Sequence, residues 1–274
     1  HAGVALSSFY QCGDLYRLDP RTIDDLGKES WGGAFPAAGV SAHTKVDERT
    51  GELLFFNYQT TAPYMHYGVV SPQRQLVHYV PIPLPGPRLP HDMCFTEHYA
   101  ILNDFPLYWD PELLKQGKHV VKFHPEQPSR FAVIPRRGQT REIRWFEAAP
   151  TYVLHWTNAW EEGDEVILEG YHQAKPMPDP LEEMGRYSHM MAYVDEHSFQ
   201  SRLHRWRFNL KTGETREERL SDKIVEFGMI NQNYAGLKYQ YVYSAVPTKG
   251  QFTFDGLIKH DVVNGTEETY LFGE

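Results

Sequence analysis

The chain has 274 residues, with 27 Lys and Arg against 36 Asp and Glu, so its formal net charge at pH 7 is −9. This acidic balance, without a block of like charges, argues against nucleic-acid binding and against electrostatic attachment to anionic lipid. A hydrophobic content of 41%, with aromatic residues at 14%, excludes a disordered chain. The apolar runs are too short to span a bilayer, and the length suits one large all-β domain or two ordinary ones.

Short aromatic and β-branched runs separated by turn residues dominate the chain, and they predict strands. The predicted strands are 52–58, 64–70, 75–80, 92–95, 98–102, 130–135, 142–146, 152–156, 165–171, 190–194, 203–209, 240–245 and 269–272. Residues 110–117 predict one short helix closed by Gly117. The proline-rich stretch 81–90 predicts an extended loop that leads into the next strand. Many short strands with little helix favour a sandwich, a barrel or a propeller.

Three of the fourteen histidines stand out by their surroundings: His43, His91 and His155. His43 precedes a predicted strand, His91 starts one, and His155 lies inside an apolar run. Asp92 follows His91 directly, so in a strand its side chain would point to the opposite face, and we interpret Asp92 as structural. Their separations of 48 (91 − 43) and 64 (155 − 91) residues are too long for a local zinc motif. Such gaps suit ligands that separate strands deliver to one point, although spacing alone is weak evidence.

The segments around these histidines resemble the carotenoid cleavage oxygenases, the retinal pigment epithelial membrane protein-like non-haem iron dioxygenases. Residues 42–52 (AHTKVDERTGE), 91–100 (HDMCFTEHYA) and 155–164 (HWTNAWEEGD) are similar to the first, second and third iron-histidine segments of that family. The Pro135-Arg136 step and residues 225–231 (VEFGMIN) also resemble family segments, in the family's order. The resemblance therefore extends over nearly the whole chain.

The resemblance implies an all-β fold, a seven-bladed β-propeller whose axis holds Fe(II) on four histidines. His43, His91 and His155 match three of these ligands, and the fourth has no match in this chain. We therefore expect residues 1–274 to be a single, incomplete propeller domain that lacks N- and C-terminal parts of the family fold, in agreement with a start at His1 rather than Met. We expect the isolated fragment to be inactive.

The family also holds its iron ligands with carboxylates that accept their second ring N–H, because such a bond fixes the tautomer of a metal-bound histidine. Glu226 matches one of these carboxylates, although a solvated strand-end glutamate is the usual fate of this residue type. Gln11 lies at the position of a second of these family carboxylates. Its amide oxygen accepts a hydrogen bond but brings no negative charge. No catalytic residue beyond the metal site is expected.

By resemblance, the reaction is Fe(II)-dependent cleavage of a carbon–carbon double bond of a carotenoid or apocarotenoid by O₂, which gives two carbonyl products. Stilbenoid cleavage on the same scaffold is the alternative. Stilbene cleavers of the family carry a lysine where this chain has Tyr10, and this favours the polyene substrates. Alternatives from other classes are a non-catalytic propeller that binds a partner and a zinc hydrolase, for which three histidines and a water would suffice.

The expected partners are a small apolar polyene or aryl-alkene and O₂, with no nucleic acid. Peripheral membrane contact of the longer protein is left open. Cys12 and Cys94 make no disulfide framework, so we expect free thiols in a reducing compartment and a cytoplasmic location.

Overall fold

A computed structural model describes residues 1–273, which are mainly β. The strands up to residue 104 are β1 (Ala5–Ser7), β2 (Cys12–Gly13), β3 (Tyr16–Leu18), β4 (Asp25–Lys28), β5 (Val40–Ser41), β6 (Lys45–Asp47), β7 (Glu52–Tyr58), β8 (Tyr64–Val70), β9 (Leu76–Pro83), β10 (Cys94–Phe95) and β11 (Tyr99–Asp104). The later strands are β12 (Leu107–Trp109), β13 (Val121–Phe123), β14 (Ser129–Pro135), β15 (Arg144–Ala148), β16 (Val153–Glu162), β17 (Glu165–Gln173), β18 (Ser201–Asn209), β19 (Thr215–Arg219), β20 (Glu226–Met229), β21 (Tyr241–Pro247), β22 (Phe254–Asp261) and β23 (Thr266–Leu271).

Helical segments are short. They are α1 (Pro111–Lys115), α2 (Ser188–Val194), α3 (Glu196–Phe199) and the 3₁₀ turns Trp31–Gly33, Thr140–Glu142, Glu182–Tyr187 and Gln232–Tyr234. Within residues 1–273, none of the helices is long and apolar enough to cross a membrane.

The larger sheets are four-stranded, and most of them are antiparallel meanders of consecutive strands. Their orders are β6-β7-β8-β9, β10-β11-β14-β15, β16-β17-β18-β19 and β20-β21-β22-β23. Smaller sheets have the orders β1-β3-β4, β2-β5 and β12-β13. A four-stranded meander is the repeating unit of a propeller blade, so this topology agrees with the predicted fold class.

The chain forms two compact units. The first comprises residues 1–104, 108–120 and 131–145, and its core packs strands β7 and β8 against Leu15, Trp31 and Val40. Gly68 of β8 lies opposite Phe55 of β7, and the Phe55 ring covers it so closely that a Cβ at residue 68 would overlap the ring. The sequence therefore needs glycine at this point of an otherwise bulky strand pair.

The second unit comprises residues 105–107, 121–130 and those from 146 onward. Its core contains side chains of the sheets β16–β19 and β20–β23, together with loop residues. The buried members are Trp160, Ile167, Tyr171, Leu203, Val225, Ile230, Tyr239, Val242 and Ile258. Inside this core, the carboxylate of Glu169 is fully buried with Arg205 and with the hydroxyl of Tyr239.

The predicted strands 52–58 and 64–70 agree with β7 and β8 residue for residue, and the predicted helix at 110–117 contains α1. The side chain of Asp110 caps α1 by accepting from the backbone N–H groups of Glu112 and Leu113, with proline at the first helical position. The proline-rich stretch 81–90 begins inside β9 and is irregular from residue 84 onward.

The predicted strand at 190–194 is wrong, because these residues lie in helix α2. The run Met-Met-Ala-Tyr-Val is apolar throughout and too short for its periodicity to separate a helix from a strand. In the helix, Ala192 is buried while Met190 and Tyr193 are exposed, so the segment presents apolar side chains to solvent.

Candidate metal centre

The first unit brings His43 and His91 together. His43 lies in the short connection between β5 and β6, and His91 follows the proline-rich stretch and precedes β10. The Nε2 atoms of the two rings are 2.9 Å apart, and the ring centroids are 4.4 Å apart. Residues 48 positions apart in sequence thus present the same ring nitrogen to one point, as the ligand prediction requires.

A separation of 2.9 Å between two imidazole nitrogens fits two arrangements. One ring can donate its N–H to the other, or both lone pairs can point at a single cation, since histidine ligands lie about 2.0–2.1 Å from a transition metal. Both rings are half-buried. The pair is therefore suited to hold a metal through Nε2.

Asp92 corrects one expectation about this pair. A strand beginning at residue 92 would point Asp92 away from the face of His91, but β10 begins only at Cys94. The Asp92 carboxylate instead lies 3.9 Å from Nδ1 of His43, and it accepts hydrogen bonds from the Nζ of Lys45 at 2.7 Å and from the backbone N–H of Met93 at 2.7 Å.

The second unit holds His155 by a buried carboxylate. His155 lies on β16 with 15% of its side chain exposed, and its Nδ1 is 2.8 Å from Oε2 of Glu226, at the start of β20. Glu226 is fully buried. When Nδ1 donates to this carboxylate, Nε2 of His155 keeps its lone pair for a metal, which is the arrangement expected of a metal-binding histidine.

The backbone around Glu226 explains how a carboxylate reaches this place. A register shift separates the pairs that Glu226 and Met229 form with β21, and Phe227 adopts φ 54. At Gly228, a Cβ would overlap the hydroxyl of Tyr171 and the methyl group of Thr157. The irregular start of β20 thus buries Glu226 while it leaves Phe227 partly exposed, with its ring centroid 4.7 Å from that of His155.

Sequence reasoning missed Glu196, which lies in α3 and is 4% exposed. Burial, and after it the negative charge of Glu226, raise the pKa of Glu196 to about 7, although His155 opposes the rise. The sequence did not predict helix α3, so no sequence pattern indicated that Glu196 would be buried.

Gln11 also lies in the first unit. It is exposed and lines a cavity of about 570 Å³, together with Cys12, Tyr58, Trp109 and His119. The role of Gln11 as an acceptor for a metal-bound histidine stays a prediction. Its neighbour Tyr10 is 67% exposed, and the Tyr10 ring centroid is 5.6 Å from that of His91.

Both cysteines are free, as predicted from the sequence. Burial raises the pKa of the Cys12 thiol to about 11 and that of the Cys94 thiol to about 12, so both thiols are protonated at neutral pH.

Comparison with known proteins decides the family. The family model described as "Retinal pigment epithelial membrane protein" matches residues 1–274. The chain belongs to this family. The resemblance read from the histidine segments is thereby confirmed.

Curated relatives of the chain include carotenoid dioxygenases and alkene oxygenases. The chain is 36% identical to carotenoid 9,10(9',10')-cleavage dioxygenase 1 of Pisum sativum, over 81% of this chain and 40% of that protein. It is 29% identical to isoeugenol monooxygenase of Pseudomonas putida, over 90% of this chain and 51% of that protein. The chain thus spans about two-fifths of the carotenoid dioxygenase relative.

Solved structures agree with the family assignment. Lignostilbene dioxygenase of Pseudomonas brassicacearum is 26% identical with a TM-score of 0.84, over all of this chain and 59% of that one. A variant of the Synechocystis apocarotenoid oxygenase, 21% identical with a TM-score of 0.83 over 58% of its length, shows the same fold. The predicted all-β, β-propeller class is confirmed.

Proposed function

We propose that this chain belongs to an Fe(II)-dependent dioxygenase that cleaves a carbon–carbon double bond of a carotenoid or apocarotenoid with O₂. The products are two carbonyl compounds. The observation that carries the proposal is the His43–His91 pair, whose Nε2 atoms meet at 2.9 Å in a chain of this family.

His43, His91 and His155 are the proposed metal ligands. The donor set fits, because neutral imidazole suits Fe(II) and because two of the Nε2 atoms already face one point. Bound Fe(II) would supply the redox chemistry with O₂. The chain's own residues orient the ligands: Glu226 takes the Nδ1–H of His155, and we propose that Gln11 accepts from another ligand of the set.

Aromatic side chains next to the ligands support an apolar substrate. The Tyr10 ring lies beside His91, and the Phe227 ring lies beside His155. Both side chains are partly exposed, so each offers aromatic surface to a polyene or aryl-alkene.

Cleavage of an aryl-alkene is the second candidate. Two of the relatives have names that specify aryl-alkenes, the isoeugenol monooxygenase and the lignostilbene dioxygenase, at 29% and 26% identity. The carotenoid 9,10(9',10')-cleavage dioxygenases of Pisum sativum and Arabidopsis thaliana are more similar, at 36% and 37%, and Tyr10 replaces the lysine expected of a stilbene cleaver. The polyene substrate is therefore the first proposal.

An activity assay tests the proposal. The protein is expressed from its complete gene. Iron-loaded protein is incubated with an apocarotenal, resveratrol and isoeugenol under ¹⁸O₂, and products are identified by mass spectrometry. We expect labelled carbonyl products from the apocarotenal and none from the variant His91→Ala. Cleavage of resveratrol or isoeugenol alone would favour the second candidate, and no cleavage of any of the three would contradict both.

We also propose, from the same resemblance, that residues 1–274 form one incomplete propeller domain and that the protein is cytoplasmic. The two free thiols support a reducing compartment. Peripheral membrane contact of the longer protein remains part of the proposal and has no support in this chain's charge.

A further inference from the structure

We propose that Asp92 and Lys45 form a charge pair that positions His43 and sets the affinity of the metal site. Both are positioning residues, and the inference rests on the proposed metal site. The inference concerns His43 in the first unit. Glu226, in contrast, accepts the hydrogen bond of His155 in the second unit.

The Asp92 carboxylate is held firmly. Asp92 is 2% exposed, and its Oδ1 accepts from the backbone N–H of Met93 and from Nζ of Lys45, both at 2.7 Å. Its backbone carbonyl accepts a hydrogen bond from Asn103 at 2.8 Å. These contacts fix the same Oδ1 at 3.9 Å from Nδ1 of His43. At this distance the carboxylate acts on the ring through its charge.

The charge beside His43 differs from that beside His155. Within residues 1–273, the Glu226 carboxylate forms no ion pair with a lysine or arginine, whereas Lys45 partly neutralises the Asp92 carboxylate. Lys45 has 24% of its side chain exposed, whereas Asp92 has 2%. The negative charge near His43 is therefore set by the balance of two groups.

Opposite effects follow when either group is removed. Substitution Asp92→Asn leaves a positive lysine near the ligands, which disfavours a bound dication. Substitution Lys45→Met leaves an uncompensated carboxylate, which favours one, because opposite charges at short range attract strongly in a partly buried site. A pair that merely stabilised the fold would instead lose stability in both variants, with no opposite change in metal affinity.

Cobalt titration of the metal-free protein, expressed with any further residues of its gene, tests this inference. Co²⁺ binding is followed by visible absorption, and thermal unfolding of each metal-free variant is recorded separately. We expect Asp92→Asn to weaken cobalt binding by about tenfold or more and Lys45→Met to tighten it a few-fold, in the range seen for groups that support metal ligands.

Asp104→Asn is the matched control. Asp104 is also buried in an ion pair of the first unit, with Arg88 at 2.6 Å, so its loss tests burial and pairing without the contact to His43. We expect it to leave cobalt affinity unchanged. Equal weakening by Asp92→Asn and Lys45→Met, or no change in either, would overturn the inference.

The variant His43→Ala separates this inference from the proposed function. If it abolishes cobalt binding while Asp92→Asn and Lys45→Met behave like wild type, the metal site stands and the charge pair is rejected. If wild-type protein binds no cobalt, both the metal site and the charge pair are rejected.

Discussion

Glu226 is a buried carboxylate whose two oxygens have different surroundings. Its Oε2 accepts from Nδ1 of His155 and from the backbone N–H of Phe227, whereas Oε1 is buried without a hydrogen-bond partner among residues 1–273. A buried oxygen without a partner costs stability, and such groups are typical of functional sites. This loss of stability is consistent with a functional role for the Glu226 carboxylate, which is to accept the Nδ1–H of His155.

Substitution Glu226→Gln is expected to weaken metal binding by about 10- to 100-fold, because the amide can still accept from Nδ1 but brings no negative charge. Metal affinity is measured by cobalt titration. The control is Glu162→Gln in the same unit, an exposed glutamate paired with Lys238 and Arg207, for which no change is expected. Equal affinities for Glu226→Gln and wild type would contradict the role of Glu226.

At the scale of the secondary-structure element, the paired strands β17 and β18 bring two imidazole rings into contact. The rings of His172 and His204 stack with their centroids 4.9 Å apart, and Glu217 of β19 lies 3.3 Å from Nε2 of His204. Burial, and after it the charge of His204, lower the pKa of His172 to about 4, although Glu217 opposes this. His172 is therefore neutral in the folded protein at pH values where an unfolded histidine takes up a proton.

This depressed pKa predicts acid sensitivity. Above pH 6.5 neither state binds the extra proton, so the full stability is present. As the pH falls from 6.5 to about 4, His172 binds a proton in the unfolded state but not in the folded state. The free energy of unfolding therefore declines by up to about 3 kcal/mol. Urea unfolding at pH 7 and pH 4.5 should show a smaller decline for His172→Gln than for wild type.

The exposed His119 supplies the control for that measurement. His119→Gln should decline with pH as wild type does. If His172→Gln and His119→Gln declined equally, His172 would not be the source of the acid sensitivity.

The start of β20 depends on a glycine. In Gly228→Ala, the new Cβ would meet the hydroxyl of Tyr171, which is itself hydrogen-bonded to Ser244, and the methyl group of Thr157. We expect a loss of about 1–3 kcal/mol in the free energy of unfolding, the usual cost of overpacking, measured by urea unfolding at pH 7.

Gly86→Ala is the control for the glycine, because a Cβ there would lie 3.3 Å from one guanidinium nitrogen of Arg88, a much milder contact than at Gly228. Among residues 1–273 other than its chain neighbours, no further side chain lies within 4 Å of that Cβ. It should unfold like wild type. A Gly228→Ala variant as stable as Gly86→Ala would show that β20 tolerates the added methyl group.

Local patterns in the sequence predicted long strands such as β7 and β8 correctly, since these carry aromatic and apolar runs bounded by turn signals. The same patterns gave no prediction for β1–β6, β12, β13, β19, β20 or β22. The pairing of His43 with His91 and of His155 with Glu226 came from resemblance to the family, because contacts over 48 and 71 residues leave no local signal. Helix α2 was missed because an apolar run of five residues is compatible with either element.

Asp92 was misplaced for a different reason. The alternation rule was applied two residues before β10 begins, where the backbone is irregular and the rule does not hold. Its proximity to His43 depends on the tertiary arrangement of the first unit.

At the scale of the whole molecule, the proposed ligands are distributed over both compact units. The first contains His43 and His91, and the second contains His155 and Glu226. Under the proposed function, the three histidines serve one ion, so metal should stabilise the protein as a whole and not one unit alone.

Metal at 100 times its dissociation constant is expected to raise the free energy of unfolding by about 2.7 kcal/mol, since a ligand that binds only the folded state stabilises it by mass action. Thermal unfolding with and without Co²⁺ measures this. His91→Ala and His155→Ala should each lose the stabilisation. Stabilisation that survives in His155→Ala would restrict the site to the first unit.

Iron content is the most direct measurement of the proposed site. Elemental analysis is made on protein expressed with all residues of its gene and purified without added metal, as wild type and as His43→Ala, His91→Ala and His155→Ala. We expect about one iron per chain in wild type and a loss of iron in each variant. Zinc in place of iron, or iron that remains when any one of the three histidines is replaced, would contradict a ferrous site built on these three imidazoles.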